Sequence, residues 1–116
     1  MKRGDLYWAE LQPRSGSEQR GRRPVVVVSS DGFNSVPSWR SIIVVPVTTS
    51  PRQALRGPTV VALSGASQVL TPDSLAICHQ ITTLDRSKIT TRIGTLSRAE
   101  MQEIEQGIAA ACDLPV

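Results

Sequence analysis

The stretch RRPVVVVSSDGFNSVPSWRSIIVVPVT, residues 22–48, holds two β-branched runs on either side of a cluster of turn residues. Val25–Val28 is entered by a proline, is too short for a helix, and carries side chains that pack well on a pleated surface; 24–30 therefore reads as a buried strand. Residues 31–38 gather Asp, Gly, Asn, Pro and Ser and read as a connection. Residues 39–48 form a second β-branched strand. Pro46 inside it removes a ladder N–H and marks an edge position or a bulge.

Working outward, LYWAEL (6–11) alternates weakly after the turn pair Gly4-Asp5 and reads as a strand. Residues 12–23 carry Pro, Gly, Ser and charge without periodicity, a long loop for so small a chain. A second basic loop is expected over 50–58, a strand over 59–63 and a connection over 64–73. SLAICHQITTL (74–84) reads as one long strand with an irregularity near its middle, 85–89 as a single helical turn, and 90–96 as a last strand. Ser97 and Glu100 then form a Ser-x-x-Glu capping box, in which each side chain satisfies an orphan N–H of the first helical turn. Met101, Ile104, Ile108 and Ala111 follow at helical spacing on one face. The expectation is a mainly β protein of about six short strands with a C-terminal α-helix, its strands closing into a small barrel that hides their edges.

The 116 residues fit one domain, 1–116, and 40% of them are apolar, too many for a disordered chain. The net charge of +3 is unevenly placed: residues 1–60 carry nine Lys/Arg against four Asp/Glu, residues 61–116 four against six. A basic first half suggests an anionic partner, nucleic acid first, or a merely soluble basic surface. MKRGDLYWAEL has no apolar run behind its charges and is not a signal peptide. No stretch reaches the ~18 apolar residues of a membrane span. Two scattered cysteines, Cys78 and Cys112, and a single histidine make neither a disulfide scaffold nor a metal site. No membrane, metal or cofactor is expected, and a cytoplasmic location is.

Arg20, Arg22 and Arg23 crowd the loop that enters the strand at Val25. Arg23 precedes Pro24, which pushes it toward extended geometry and makes it the most fixed of the three. A fixed guanidinium suits phosphate, because its planar fork matches two phosphate oxygens. Glu18 is near enough across a folded-back loop to meet Arg23, and the pair is also what an ordinary surface ion pair looks like. Thr48 ends a strand beside a basic loop, where its hydroxyl can donate to a phosphate, though threonine is common in strands. His79 is the one side chain whose ordinary pKa lies near neutrality, and it is either a proton carrier or a structural strand residue.

RGDLYWAEL, GSEQRGRRPVVVVS, IIVVPVT and HQITTLDRSKI occur in this order and spacing, and on them the chain resembles the MazF/PemK family of toxin endoribonucleases over essentially its whole length. The resemblance implies an SH3-like β-barrel with a C-terminal helix, a homodimer, and metal-independent cleavage of single-stranded RNA, usually mRNA, within a short preferred sequence. The 2′-OH would attack the adjacent phosphodiester and leave a 2′,3′-cyclic phosphate and a 5′-OH. A cognate antitoxin would block the RNA groove with its disordered C-terminal tail. The family's catalytic arginine falls on Arg23, its threonine on Thr48 and its G-S-E-Q glutamate on Glu18. PemK-type members carry Arg-Cys-Asp-Gln where this chain has Ile77-Cys78-His79-Gln80, so the MazF branch is the better match. The 2′-OH proton is left to Glu18 or His79. Contacts to RNA are expected from Ser17, Gln19, Arg20, Arg22, Phe33, Asn34, Arg52, Arg56 and Gln80. Phe33 and Trp39 flank the loop expected to meet bases, or else pack in the core. CcdB-like gyrase-binding toxins share this barrel, so a non-catalytic function is the competing reading.

Overall fold

In the computed structural model of the chain, residues 1–12, 16, 18, 20–63 and 70–115 are described, with the backbone alone for 53–56. Three strands come first: β1 (Asp5–Leu11), β2 (Gly21–Val27) and β3 (Ser41–Thr48), with the single helical turn α1 (Asp31–Asn34) between β2 and β3. A 3₁₀ segment (Pro51–Thr59) leads to β4 (Val60–Ala62), and β5 (Leu75–Ile77) follows. A 3₁₀ turn (Cys78–Gln80) leads to β6 (Thr82–Asp85), and a second (Arg86–Lys88) joins β6 to β7 (Ile89–Thr95). Helix α2 (Arg98–Cys112) ends the fold.

The strands pair antiparallel as a ribbon β6–β3–β2–β1–β7, with β4 and β5 added on the far half of β3. β6 and β7 lie at opposite ends of the ribbon, yet only the turn Arg86–Lys88 separates them in the chain. Three residues span at most about 11 Å, so the ribbon has to curl round on itself. The curl shows in the core. Ala9, Leu11, Val25, Val27, Ile42, Val44 and Ile89 form one buried cluster to which no helix contributes. On the other face, Leu6, Val26, Val45, Val47, Leu63, Ala76, Cys78, Leu96, Met101 and Ile104 form a second cluster under α2. The successive valines of β2 alternate between the two, which is why this strand reads as an unbroken apolar run. Each fully buried Leu, Ile or Val contributes about 1.5–3 kcal/mol. The expected closure into a barrel is not met: the ribbon curls and a short turn links its ends, but no ladder joins β6 to β7 among the described residues, so the sheet stays open.

Four local expectations need correction. β2 starts at Gly21, so Arg22 and Arg23 lie in a strand and not in a loop: β1 offers them a partner, with Glu10 opposite Arg22 and Ala9 opposite Arg23. The connection 31–38 contains a helical turn, capped by the Ser30 hydroxyl accepting from Gly32 N–H. The long strand over 74–84 is two strands, because Cys78 turns inward to pack beneath α2. On α2, Met101 and Ile104 are buried as expected and Ile108 half-buried, but Ala111 is exposed; Gly107 and Ala109 supply the rest of the buried face. The capping box of Ser97 and Glu100 forms in both directions, at 3.1 and 2.9 Å.

Candidate functional site

β2 and β3 pair only from Val25–Pro46 to Val27–Val44. Beyond that point the two strands part. The start of β2, Gly21–Pro24, stays on β1, while Val47 and Thr48 turn to pair with Ala76 and Leu75 of β5. Two prolines, Pro24 and Pro46, stand at the parting, each without the N–H a ladder needs. The gap is a cavity of about 290 Å³ lined by Trp8, Arg22, Arg23 and Pro24 on one side and by Val47, Thr48, Thr49, Leu70, Thr71 and Ser74 on the other.

The lining is rich in donors, and no carboxylate contributes to it among the described residues. Arg23 is exposed and donates Nε to the Arg20 carbonyl at 3.2 Å; among the described residues its two terminal nitrogens have no further partner. The Arg22 guanidinium lies over the Trp8 ring, 4.6 Å from the centroid, a contact worth about 0.5–1 kcal/mol at an exposed site. Neither arginine joins an ion pair among the described residues; those pairs are Arg3–Glu105, Arg40–Asp85 and Arg92–Asp5. Thr48 is buried, and its Oγ1 accepts from Ser50 N–H at 3.2 Å. Its own hydroxyl proton is then free to be donated outward. Thr71 and Ser74 share one hydroxyl–hydroxyl bond of 3.2 Å, in a turn closed by Ser74 N–H on the Thr71 carbonyl.

The structure therefore brings Arg23, Thr48 and Arg22 to one cavity. Glu18 is half-buried before β2 and does not line it. His79 and Gln80 lie on the turn Cys78–Gln80, also outside its lining, and His79 Nδ1 is 2.8 Å from Thr59 Oγ1. Arg20 is exposed at the entry to β2, and Arg52 is exposed at the start of the 3₁₀ segment. Ser17, Gln19 and the Arg56 side chain lie outside the described residues. Asn34 is withdrawn from the expected RNA contacts: it is buried, its Oδ1 accepts from Ser29 Oγ, and its Nδ2 donates to the Ser29 carbonyl and Asp31 Oδ1. Phe33 and Trp39 stack on each other at 4.6 Å, both exposed, at the opposite end of β2 from Arg23.

Sequence reading missed Trp8, Thr71 and Ser74 as lining residues. Nothing in a strand tryptophan or a Thr-Pro-Asp-Ser turn signals which gap it borders. The motif LDRSKI turns out to be structural. Arg86 donates to the carbonyls of Asn34, Val36 and Trp39 and pins the aromatic loop. The Arg40 guanidinium and Ser87 hold the Asp85 carboxyl well below the usual range. Burial pushes the Cys78 thiol up to about 11, while Cys112 is exposed. Among the described residues no three His, Cys, Asp or Glu side chains gather as a metal site would need, and no helix is long and apolar enough to cross a membrane.

A curled ribbon backed by one helix, with a donor-lined cavity where two strands part, defines a class of small basic β proteins. A family model described as PemK-like, MazF-like toxin of type II toxin–antitoxin system matches residues 2–112. The endoribonuclease MazF6 of Mycobacterium tuberculosis is 33% identical over 114 residues, which cover 98% of each chain. The endoribonuclease MazF of Staphylococcus saprophyticus is 34% identical over 108 residues, 93% of this chain and 88% of the relative. A mycobacterial endoribonuclease solved in complex with its cognate antitoxin matches 100% of this chain and 98% of its own, with a TM-score of 0.78 and 28% identity. MazF from Deinococcus radiodurans has a TM-score of 0.80 over 98% of this chain and 97% of its own; at 24% identity it supports the fold. The chain belongs to the PemK/MazF family of toxins of type II toxin–antitoxin systems.

Proposed function

We propose that this chain is a toxin endoribonuclease that cuts single-stranded RNA, chiefly mRNA, within a short preferred sequence. The observation that carries the reading is the meeting of Arg23 and Thr48 in one cavity to which, among the described residues, no carboxylate contributes. A phosphodiester seated there would meet the fork of Arg23 and the outward proton of Thr48. When the 2′-OH attacks the adjacent phosphorus, its proton leaves, the bond to the 5′-oxygen breaks, and negative charge grows on the non-bridging oxygens. Fixed donors aimed at that charge stabilise the transition state. The departing 5′-oxygen takes a proton from solvent water, and the products are a 2′,3′-cyclic phosphate and a 5′-OH. In this reading Glu18, the carboxylate nearest to Arg23 along the chain, takes the 2′-OH proton. His79, held against Thr59, keeps a structural role. Arg20 and Arg52, exposed on either side, would guide the RNA backbone.

The same reading includes a homodimer in the cytoplasm, silenced by a cognate antitoxin whose disordered C-terminal tail occupies the RNA groove. Arg23 and Thr48 replace a metal in it, so chelator should leave cleavage intact. Incubation with a long mRNA in EDTA, resolved on a denaturing gel, should give discrete fragments with the wild type and none with Arg23→Ala. An intact transcript with the wild type, or fragments only after magnesium is added, would refute the reading; a gyrase-directed toxin would give the first of these.

A further inference from the structure

We infer that the cavity also reads the nucleobase next to the scissile phosphate, with Arg22 as the stacking plane and the Thr71/Ser74 hydroxyl pair as the reader of its edge. This inference rests on the endoribonuclease reading and adds the base-specific half of the site.

The lining divides into a phosphate end and a base end. Arg23 and Thr48 line the cavity from the two strands that part there, β2 and β3. Outside them lie two unlike walls. On the β1 side, Trp8 sits opposite Pro24 in the ladder and carries the Arg22 guanidinium on its ring. A guanidinium held over an indole by a cation–π contact keeps one face in place, and an unstacked RNA base can rest on the plane of an arginine guanidinium. On the β5 side, Leu70 is buried and apolar, and Ser74, only 3% exposed, lies beside it in the lining. A buried hydroxyl at the wall of a cavity has to be satisfied. Thr71 and Ser74 together own two hydroxyl protons and use one in their mutual bond. One donor and spare lone pairs are left for a ligand. A base edge offers both an acceptor and a donor, and so matches what remains. The cavity of about 290 Å³ is at the small end of ligand pockets, which run from about 300 Å³ upward; it suits one nucleotide rather than a length of RNA.

Trp8 is then a positioning residue acting through Arg22, and Thr71 and Ser74 set specificity. The test is a cleavage map: a long transcript cut by the wild type, Thr71→Val, Ser74→Ala, Trp8→Leu and Trp8→Phe, with the new ends sequenced. Thr71→Val and Ser74→Ala should flatten the preference at one position beside the cut by about tenfold, with the other positions of the motif unchanged. Thr71 is exposed, so its variant tests the inference even if Ser74→Ala folds poorly. Trp8→Leu should raise KM more than it lowers kcat, and Trp8→Phe should restore most of the loss. Variants that keep the full motif and are merely slower would overturn the base-reading assignment and leave the nuclease intact. A wild type that cuts nothing would overturn both.

Discussion

Arg23 is held by its own chain. Its Nε bond to the Arg20 carbonyl and its place opposite Ala9 fix the stem, so the terminal nitrogens project from a rigid strand. Charge alone would attract RNA equally well as lysine; the planar fork would not survive the exchange. Arg23→Lys should therefore bind RNA within a few-fold of the wild type at moderate salt, yet cleave about a hundredfold more slowly, as expected for losing one preorganised donor to a developing oxyanion. Filter binding beside single-turnover cleavage separates the two. Near-normal cleavage by the lysine variant would reduce Arg23 to a backbone contact. Arg23 and Thr48 were legible because a guanidinium before proline and a hydroxyl at a strand end say something locally. Asn34 was misread for the opposite reason. A polar residue in a turn looks exposed, and only the folded loop reveals that its amide is spent on Ser29 and Asp31.

Helix α2 sits on the sheet through an unusually close approach. A Cβ added at Gly107 would lie 2.6 Å from Cys78 Sγ, 3.1 Å from Cys78 Cβ and 3.2 Å from Val61 Cγ2. Alanine favours a helix interior over glycine by about 1 kcal/mol, whereas overpacking a tight core costs about 1–3 kcal/mol. The clash should win: Gly107→Ala is expected to lose about 1–2 kcal/mol in urea unfolding. Adding Cys78→Ala should recover part of that loss, since it removes the nearest atom. A stabilised Gly107→Ala would mean that α2 shifts freely on the sheet. The same contact explains why the break in residues 74–84 was only half visible. SLAICHQITTL has the composition of one strand throughout, and what interrupts it is a thiol drawn under a helix some 26 residues later in the chain. The start of β2 was hidden in the same way. Gly, Arg and Arg resemble a loop until β1 pairs with them.

At the scale of the molecule, the C-terminal helix and the β class followed from periodicity and capping, while the strand count came out one short because 74–84 is two strands. The open seam between β6 and β7 did not, because closure depends on which strands pair, and pairing partners leave little trace in a single sequence. One consequence of the parting at Pro46 concerns motion. Val45 and Val47 are neighbours but one, yet Val45 is bonded into the ladder with β2 while Val47 belongs to the ladder with β5. The β4–β5 layer can thus breathe against the ribbon about this point, and whatever grips Arg23 on one side and Thr48 on the other becomes a tie between them. With an RNA carrying a 2′-deoxy substitution at the cut site, which binds without being cleaved, amide hydrogen exchange should slow at Val47, Ala76 and Ile77. The amides of β1 facing β7 should keep their rates. Uniform slowing across both layers would indicate that they already open as one unit; slowing confined to Val47, β4 and β5 would make substrate itself the last strut of the fold.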